Sequence, residues 1–190
     1  MSKEIVKQIQ DNIEGLLSNN DKIREKHFKA LYPVAETQPE LLYPYWEIFV
    51  ELLHKPEVSN KYYGIHFIAC LIRTDTEDKF NEIFNYWFTE LLNDESPVVA
   101  LHAAEKSGMI VKAKPKLKQR ATSYLLRTDE SSSCRHLDLQ KAYVLSAIDM
   151  FYNEITEKED VDNYIKLQTN SSSGKTKKKA KELLKKYSIT

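Results

Sequence analysis

Three segments of this chain end alike. They read Glu51-Leu52-Leu53-His54-Lys55-Pro56, Glu90-Leu91-Leu92-Asn93-Asp94-Glu95 and Tyr124-Leu125-Leu126-Arg127-Thr128-Asp129. Each closes an amphipathic stretch on a leucine pair and then drops into a polar turn, at offsets of 39 and 34 residues. A period in this range marks supersecondary units that cannot bury a core alone and must stack on their neighbours. This constrains the fold more than any single residue does, and it predicts an array of paired helices.

Composition narrows the class further. With Gly 4 and Pro 6 the chain is too poor in turn residues for an all-β fold. A content of 42% hydrophobic and 29% charged residues is that of a globular chain, and 190 residues suit one domain, 1–190. The longest apolar runs fall short of a membrane span. Met1-Ser2-Lys3-Glu4-Ile5 leads directly into helical periodicity, without the apolar core of a signal peptide. Cys70 and Cys134 are too few and too far apart for a disulfide scaffold or a zinc site. They are expected to be core thiols in a reducing cytosol, so the protein is expected to be soluble and cytoplasmic. The net charge of +0 conceals a split: residues 1–95 carry 10 Lys+Arg against 17 Asp+Glu, and residues 96–190 carry 18 against 11.

Apolar spacing of three and four predicts about ten helices. The first holds Ile5, Ile9, Ile13, Leu16 and Leu17. Asn20 or Asp21 caps the second, which turns Ile23, His27, Phe28 and Leu31 inward and is kinked or ended by Pro33. Thr37/Glu40, Thr74/Glu77 and Thr156/Glu159 have the spacing of capping boxes, and Ser96-Pro97 that of an N-cap followed by a first-turn proline. Asp129–Ser133 and Asn170–Gly174 are read as loops on either side of a long helix over roughly 135–155 and a short one that ends near Leu167. Trp46 and Trp87 fall on core stripes. Small residues recur in alternate helices at Ala30, Ala69, Ala103 or Ala104, Ala142 and Ala180.

Asp94-Glu95-Ser96-Pro97-Val98-Val99-Ala100-Leu101-His102-Ala103-Ala104 resembles the acidic turn, proline and double-alanine first helix of HEAT-repeat proteins. The leucine-pair endings resemble the second helices of that family. Ser171-Ser172-Ser173-Gly174-Lys175-Thr176-Lys177-Lys178-Lys179-Ala180 resembles the start of another first helix. The resemblance covers residues 20–187. It implies an all-α, right-handed superhelix of about five helix pairs, and a binding role on its concave face. Relatives of that kind mostly bind macromolecules, and a minority bind DNA, among them a class of alkylation-repair glycosylases.

Motifs for chemistry are sparse. Gly174-Lys175-Thr176 lacks the first glycine of a phosphate-binding loop, since position 169 is Thr169. No His-x3-His, Cys-x2-Cys or Gly-x-Ser-x-Gly pattern occurs. The expectation is a non-enzymatic protein with no cofactor, no metal site and no membrane association.

Superposing the leucine pairs aligns Glu51, Glu90 and Tyr124, then Glu47, Tyr86 and Arg120, then Tyr43, Glu82 and Lys116. This ridge is acidic and tyrosine-rich in two units and basic in the third. It predicts a protein or peptide partner of opposite polarity, gripped by Tyr43, Glu47, Glu51, Glu82, Tyr86 and Glu90 at one end and by Lys116 and Arg120 at the other. The alternative is nucleic-acid binding through Lys112, Lys114 and Lys118 together with Lys175, Lys178 and Lys179.

Overall fold

The computed structural model describes residues 3–190, and every regular element among them is helical. The chain forms two compact units, residues 1–77 and 78–190.

Unit 1 contains α1 (Lys3–Leu16), α2 (Asp21–Thr37), α3 (Trp46–His54) and α4 (Val58–Leu71), with 3-10 turns at Pro39–Leu41, Tyr43–Tyr45 and Ile72–Thr74. Asn20 caps α2 by accepting from the Lys22 and Ile23 amides at 3.0 and 3.4 Å. α4 is buried from Tyr63 to Leu71, as expected for a helix apolar on every side. It packs against both α3 and α2. A Cβ on Gly64 would lie 2.7 Å from the Leu53 side chain and 2.9 Å from the Phe49 carbonyl oxygen, so only glycine admits this approach of α4 to α3. The core is aromatic: Phe28 stacks on Tyr63 at 4.5 Å, and Phe67 stacks on Phe49 at 4.4 Å. Two arginines are among its polar ties. Buried Arg24 binds the Asp21 carboxylate, the Ser18 carbonyl at 2.8 Å and the Ser59 hydroxyl, while Arg73 donates to the Glu36 carbonyl.

Unit 2 contains α5 (Phe80–Tyr86), which widens into a π turn over Trp87–Leu91, then α6 (Pro97–Ala113), α7 (Lys118–Leu126) and α8 (Thr128–Ser131). It continues with α9 (Leu137–Phe151), α10 (Glu159–Gln168) and α11 (Gly174–Tyr187). Pro97 occupies the first turn of α6 behind Ser96. Ala103, Ala104 and Ser107 of α6 are fully buried, and a Cβ on Gly108 would stand 2.9 Å from the Cα and the carbonyl oxygen of Ala147 on α9. α11 packs on α9 and α10. Trp46 and Cys70 are buried in unit 1, and Trp87 and Cys134 in unit 2; neither cysteine forms a disulfide. Among the described residues no helix is long and apolar enough to cross a membrane.

Side-chain hydrogen bonds within each unit recur at separations of 34 to 38 residues. Ser59 with Asp21, Arg73 with Glu36, Lys114 with Asp78, Ser131 with Asn93, Ser172 with Asp138 and Lys186 with Asp149 are examples. These separations fall between the two leucine-pair offsets of 34 and 39.

Several local expectations are corrected. Pro33 does not end α2: it lies inside the helix, which continues to Thr37. The helices following the three threonine pairs start without a side-chain cap, and Thr37 and Thr74 instead donate back to the Pro33 and Leu71 carbonyls at 2.8 Å. Ala30 is exposed, and Ala35, 34 positions before Ala69, is the buried small residue of α2. Ile23 is exposed, whereas Arg24 is buried, with its two terminal guanidinium nitrogens donating to the Ser18 carbonyl, Asp21 and Ser59. The expected loop at 129–133 contains α8. On α9 the core position falls to Gln140 rather than Leu139. Its amide donates to the Leu92 carbonyl at 2.6 Å and its oxygen accepts from Ser132 at 2.7 Å, so both polar ends are satisfied.

Candidate partner-binding surfaces

In unit 1, Trp46, Phe49, Leu52 and Leu53 fix the inner side of α3, which leaves Glu47 and Glu51 exposed one turn apart on the outer side. Tyr43 precedes them on a 3-10 turn and is half-buried, with its ring against Trp46. Its hydroxyl donates to Asp75 at 2.9 Å. Burial, and then the Asp75 carboxylate, push the phenol pKa up to about 12. Tyr43 thus braces the end of α4 as well as bordering the acidic face.

In unit 2, Phe80, Ile83, Phe84, Trp87, Phe88, Leu91 and Leu92 point inward. Glu82 and Glu90 are exposed, and Tyr86 is half-buried. Positions four apart on an α-helix drift by about 40° at each step. The π turn alters this, because the Leu92 amide reaches back to the Trp87 carbonyl at 3.0 Å. Each residue in such a turn advances roughly 80° instead of 100°, which returns Glu90 close to the line of Glu82 and Tyr86. Trp87 is anchored there by its indole N–H, which donates to Ser107 at 3.1 Å. Glu51, Glu82 and Glu90 form no ion pair among the described residues.

The basic residues behave differently. Lys114 and Lys116 both bind the Asp78 carboxylate, Lys114 at 2.6 Å, and hydrogen bonds from the two ammoniums bring the Asp78 pKa down to about 2. Asp78 holds this position with a left-handed backbone, φ 57. Lys118 donates to the Glu154 carbonyl. The Arg120 guanidinium lies 4.0 Å over the Phe84 ring and contacts the Asn85 side chain. Of the basic run, Lys112 alone is exposed without such a tie among the described residues.

On α11, Lys179 and Lys186 both bind Asp149, at 2.9 and 2.7 Å, and the Tyr187 hydroxyl donates to the same carboxylate at 2.8 Å. Burial raises the Asp149 pKa, but the three donors outweigh it and hold the group below the usual aspartate value. Lys175 lies 3.9 Å over the Tyr143 ring, while Lys178 is exposed. Lys114, Lys116, Lys118, Arg120, Lys175 and Lys179 are therefore engaged in internal ties, whereas Glu51, Glu82 and Glu90 form no ion pair among the described residues.

A cleft of about 520 Å³ is lined by Cys134–Leu139, Ser172 and Ser173. Its carboxylate, Asp138, accepts from Ser172 and Lys141, and burial pushes the Cys134 thiol up, away from the thiolate form. Among the described residues no group of three or more His, Cys, Asp or Glu could hold a metal ion. No protein-family model, curated protein or solved structure matches the chain.

Proposed function

We propose that the chain is a non-enzymatic, HEAT-like helical-repeat module that binds a protein partner bearing a basic segment. The observation that carries this reading is the contrast in engagement. Glu51, Glu82 and Glu90 are exposed and form no ion pair among the described residues, whereas Lys114, Lys116 and Arg120 are occupied within unit 2. The repeating ties at 34 to 38 residues support the stacked-pair architecture, with the right-handed course that the resemblance implies. In each unit taken by itself, exposed carboxylates beside a half-buried tyrosine, Glu51 near Tyr43 in unit 1 and Glu82 and Glu90 near Tyr86 in unit 2, suit orientation of a cationic segment. The basic end of the expected bipolar ridge drops out of this reading, because Lys116 and Arg120 already have partners.

The test is affinity purification from nuclease-treated native lysate with the wild-type chain and with Glu51→Gln/Glu82→Gln/Glu90→Gln. A partner held by the wild type, released by salt and lost by the triple variant is the expected result. Equal, salt-indifferent capture by both proteins would overturn the reading.

A further inference from the structure

α11 has lysines on two sides, and their surroundings differ. One flank is engaged with Asp149 and Tyr143 through Lys179, Lys186 and Lys175. At about 100° per residue, Lys177, Lys181, Lys185 and Lys178 fall within an arc of about 100°. This arc lies opposite the buried Thr176, Ala180 and Leu183. All four lysines are exposed, and none pairs with an acid among the described residues. The one acid of the helix, Glu182, is turned to Lys179 at 2.9 Å.

We infer that this lysine face of α11 docks the phosphate backbone of double-stranded DNA. Charge complementarity is the main argument: four unopposed ammoniums lie along about 12 Å of helix axis, beside a polymer with one charge per roughly 1.7 Å of its own axis. The helix is a firm platform. Ser173 caps its first turn, the Thr176 hydroxyl donates to the Asp138 carbonyl, and the Asp149 clamp holds its last turns. The arc offers no apolar residue to enter a bilayer, because the apolar side of α11 is already in the core. It offers no aromatic ring on which an unpaired base could stack, which disfavours single strands. It offers no amide to grip a 2′-hydroxyl, which disfavours duplex RNA. Lysine ammoniums are point charges without the planar fork that reads base edges, so the binding is indifferent to sequence. The inference does not depend on the acidic surfaces of α3 and α5.

The experiment is fluorescence anisotropy of a labelled duplex DNA with the full chain over about 50 to 200 mM NaCl. Four phosphate contacts predict a log–log salt slope of about −3.6 and roughly a 100-fold loss of affinity across that range. Lys177→Gln/Lys178→Gln/Lys181→Gln/Lys185→Gln should abolish binding, while Lys22→Gln/Lys26→Gln, at exposed lysines of α2, leaves it unchanged. The paired variants Lys177→Gln/Lys181→Gln and Lys178→Gln/Lys185→Gln should each halve the slope, and they carry the test if the quadruple variant does not fold. Absence of duplex binding by the wild type, duplex binding retained by the quadruple variant, or tighter binding to duplex RNA, to phosphatidylserine vesicles or to polyglutamate would each overturn the inference.

Discussion

In unit 1 two arginines reach main-chain oxygens, Arg24 that of Ser18 and Arg73 that of Glu36, beside carboxylate ties from Arg24 and Ser59 to Asp21 and from Tyr43 to Asp75. In unit 2 they centre on aspartates that gather side-chain donors: Lys114 and Lys116 at Asp78, Ser172 and Lys141 at Asp138, and Lys179, Lys186 and Tyr187 at Asp149. An arginine bound to a carbonyl keeps its interaction across the accessible pH range, since neither group titrates. A carboxylate hub loses its charge in acid. Unit 1 thus mixes arginine–carbonyl ties with carboxylate ties, whereas the gathered donors of unit 2 converge on carboxylates, and the difference in acid sensitivity can be measured. Each unit has one tryptophan, Trp46 in unit 1 and Trp87 in unit 2, so Trp87→Phe and Trp46→Phe leave a fluorophore that reports on one unit alone.

The largest effect should come from the aromatic core of unit 1. Phe67 is fully buried between Phe28 and Phe49, and Phe67→Ala should cost about 3–5 kcal/mol in denaturant unfolding followed at Trp46. A change seen equally at Trp87 would show that the units unfold together. Next is Gly108→Ala. Its Cβ meets the α9 backbone at 2.9 Å, and that contact should outweigh the gain of about 1 kcal/mol in helix propensity. A net loss of about 1–2 kcal/mol, read at Trp87, is expected. An unchanged or raised midpoint would mean that α9 can shift.

The smallest effect distinguishes the two chemistries directly. Asp149→Asn should cost about 1–2 kcal/mol at neutral pH, since charge-assisted hydrogen bonds are replaced by neutral ones. The carboxyls of Asp78, Asp138 and Asp149 all titrate below their ordinary value: at Asp78 through Lys114 and Lys116, at Asp138 through Ser172 and Lys141, and at Asp149 through its three donors against the effect of burial. The stability they contribute is complete above the usual aspartate pKa of about 3.9 and is lost as the pH falls through the lowered values. For Asp78 that loss is centred near pH about 2. Wild type and Asp149→Asn should therefore converge in acid when followed at Trp87. Tyr43 works in the opposite direction in unit 1: its raised pKa adds stability below about 10 that is lost as the pH rises through about 12.

Apolar spacing was enough to place most of the helices, because each buries a side that recurs every three or four residues. It also located both tryptophans in the core, where the two cysteines, expected there from their small number and wide spacing, lie as well. The junctions were less legible. Thr37 and Thr74 have capping-box spacing, yet their hydroxyls close the outgoing helix by donating backward, a choice set by where the chain turns rather than by the local sequence. Arg24 and Gln140 look like surface residues until their partners, Ser18, Ser59, Ser132 and Leu92, are placed around them. The basic run at 112–120 looks like one patch. Its acceptors are Asp78 and Glu154, which lie 36 or more positions away from the lysines they bind. The charge split also changes when it is drawn at the boundary between the units. Residues 1–77 carry 9 basic and 12 acidic side chains and residues 78–190 carry 19 and 16, because the acids at 78–95 belong to unit 2.

Cys70 and Cys134 lie in different units, and each is almost wholly covered. A covered thiol reacts with an alkylating reagent only during the moments when its surroundings open. The rate of labelling at each cysteine under native conditions therefore reads out the free energy of that local opening. The unmodified chain thus has one internal clock in each unit, and comparing their rates would show which unit breathes first.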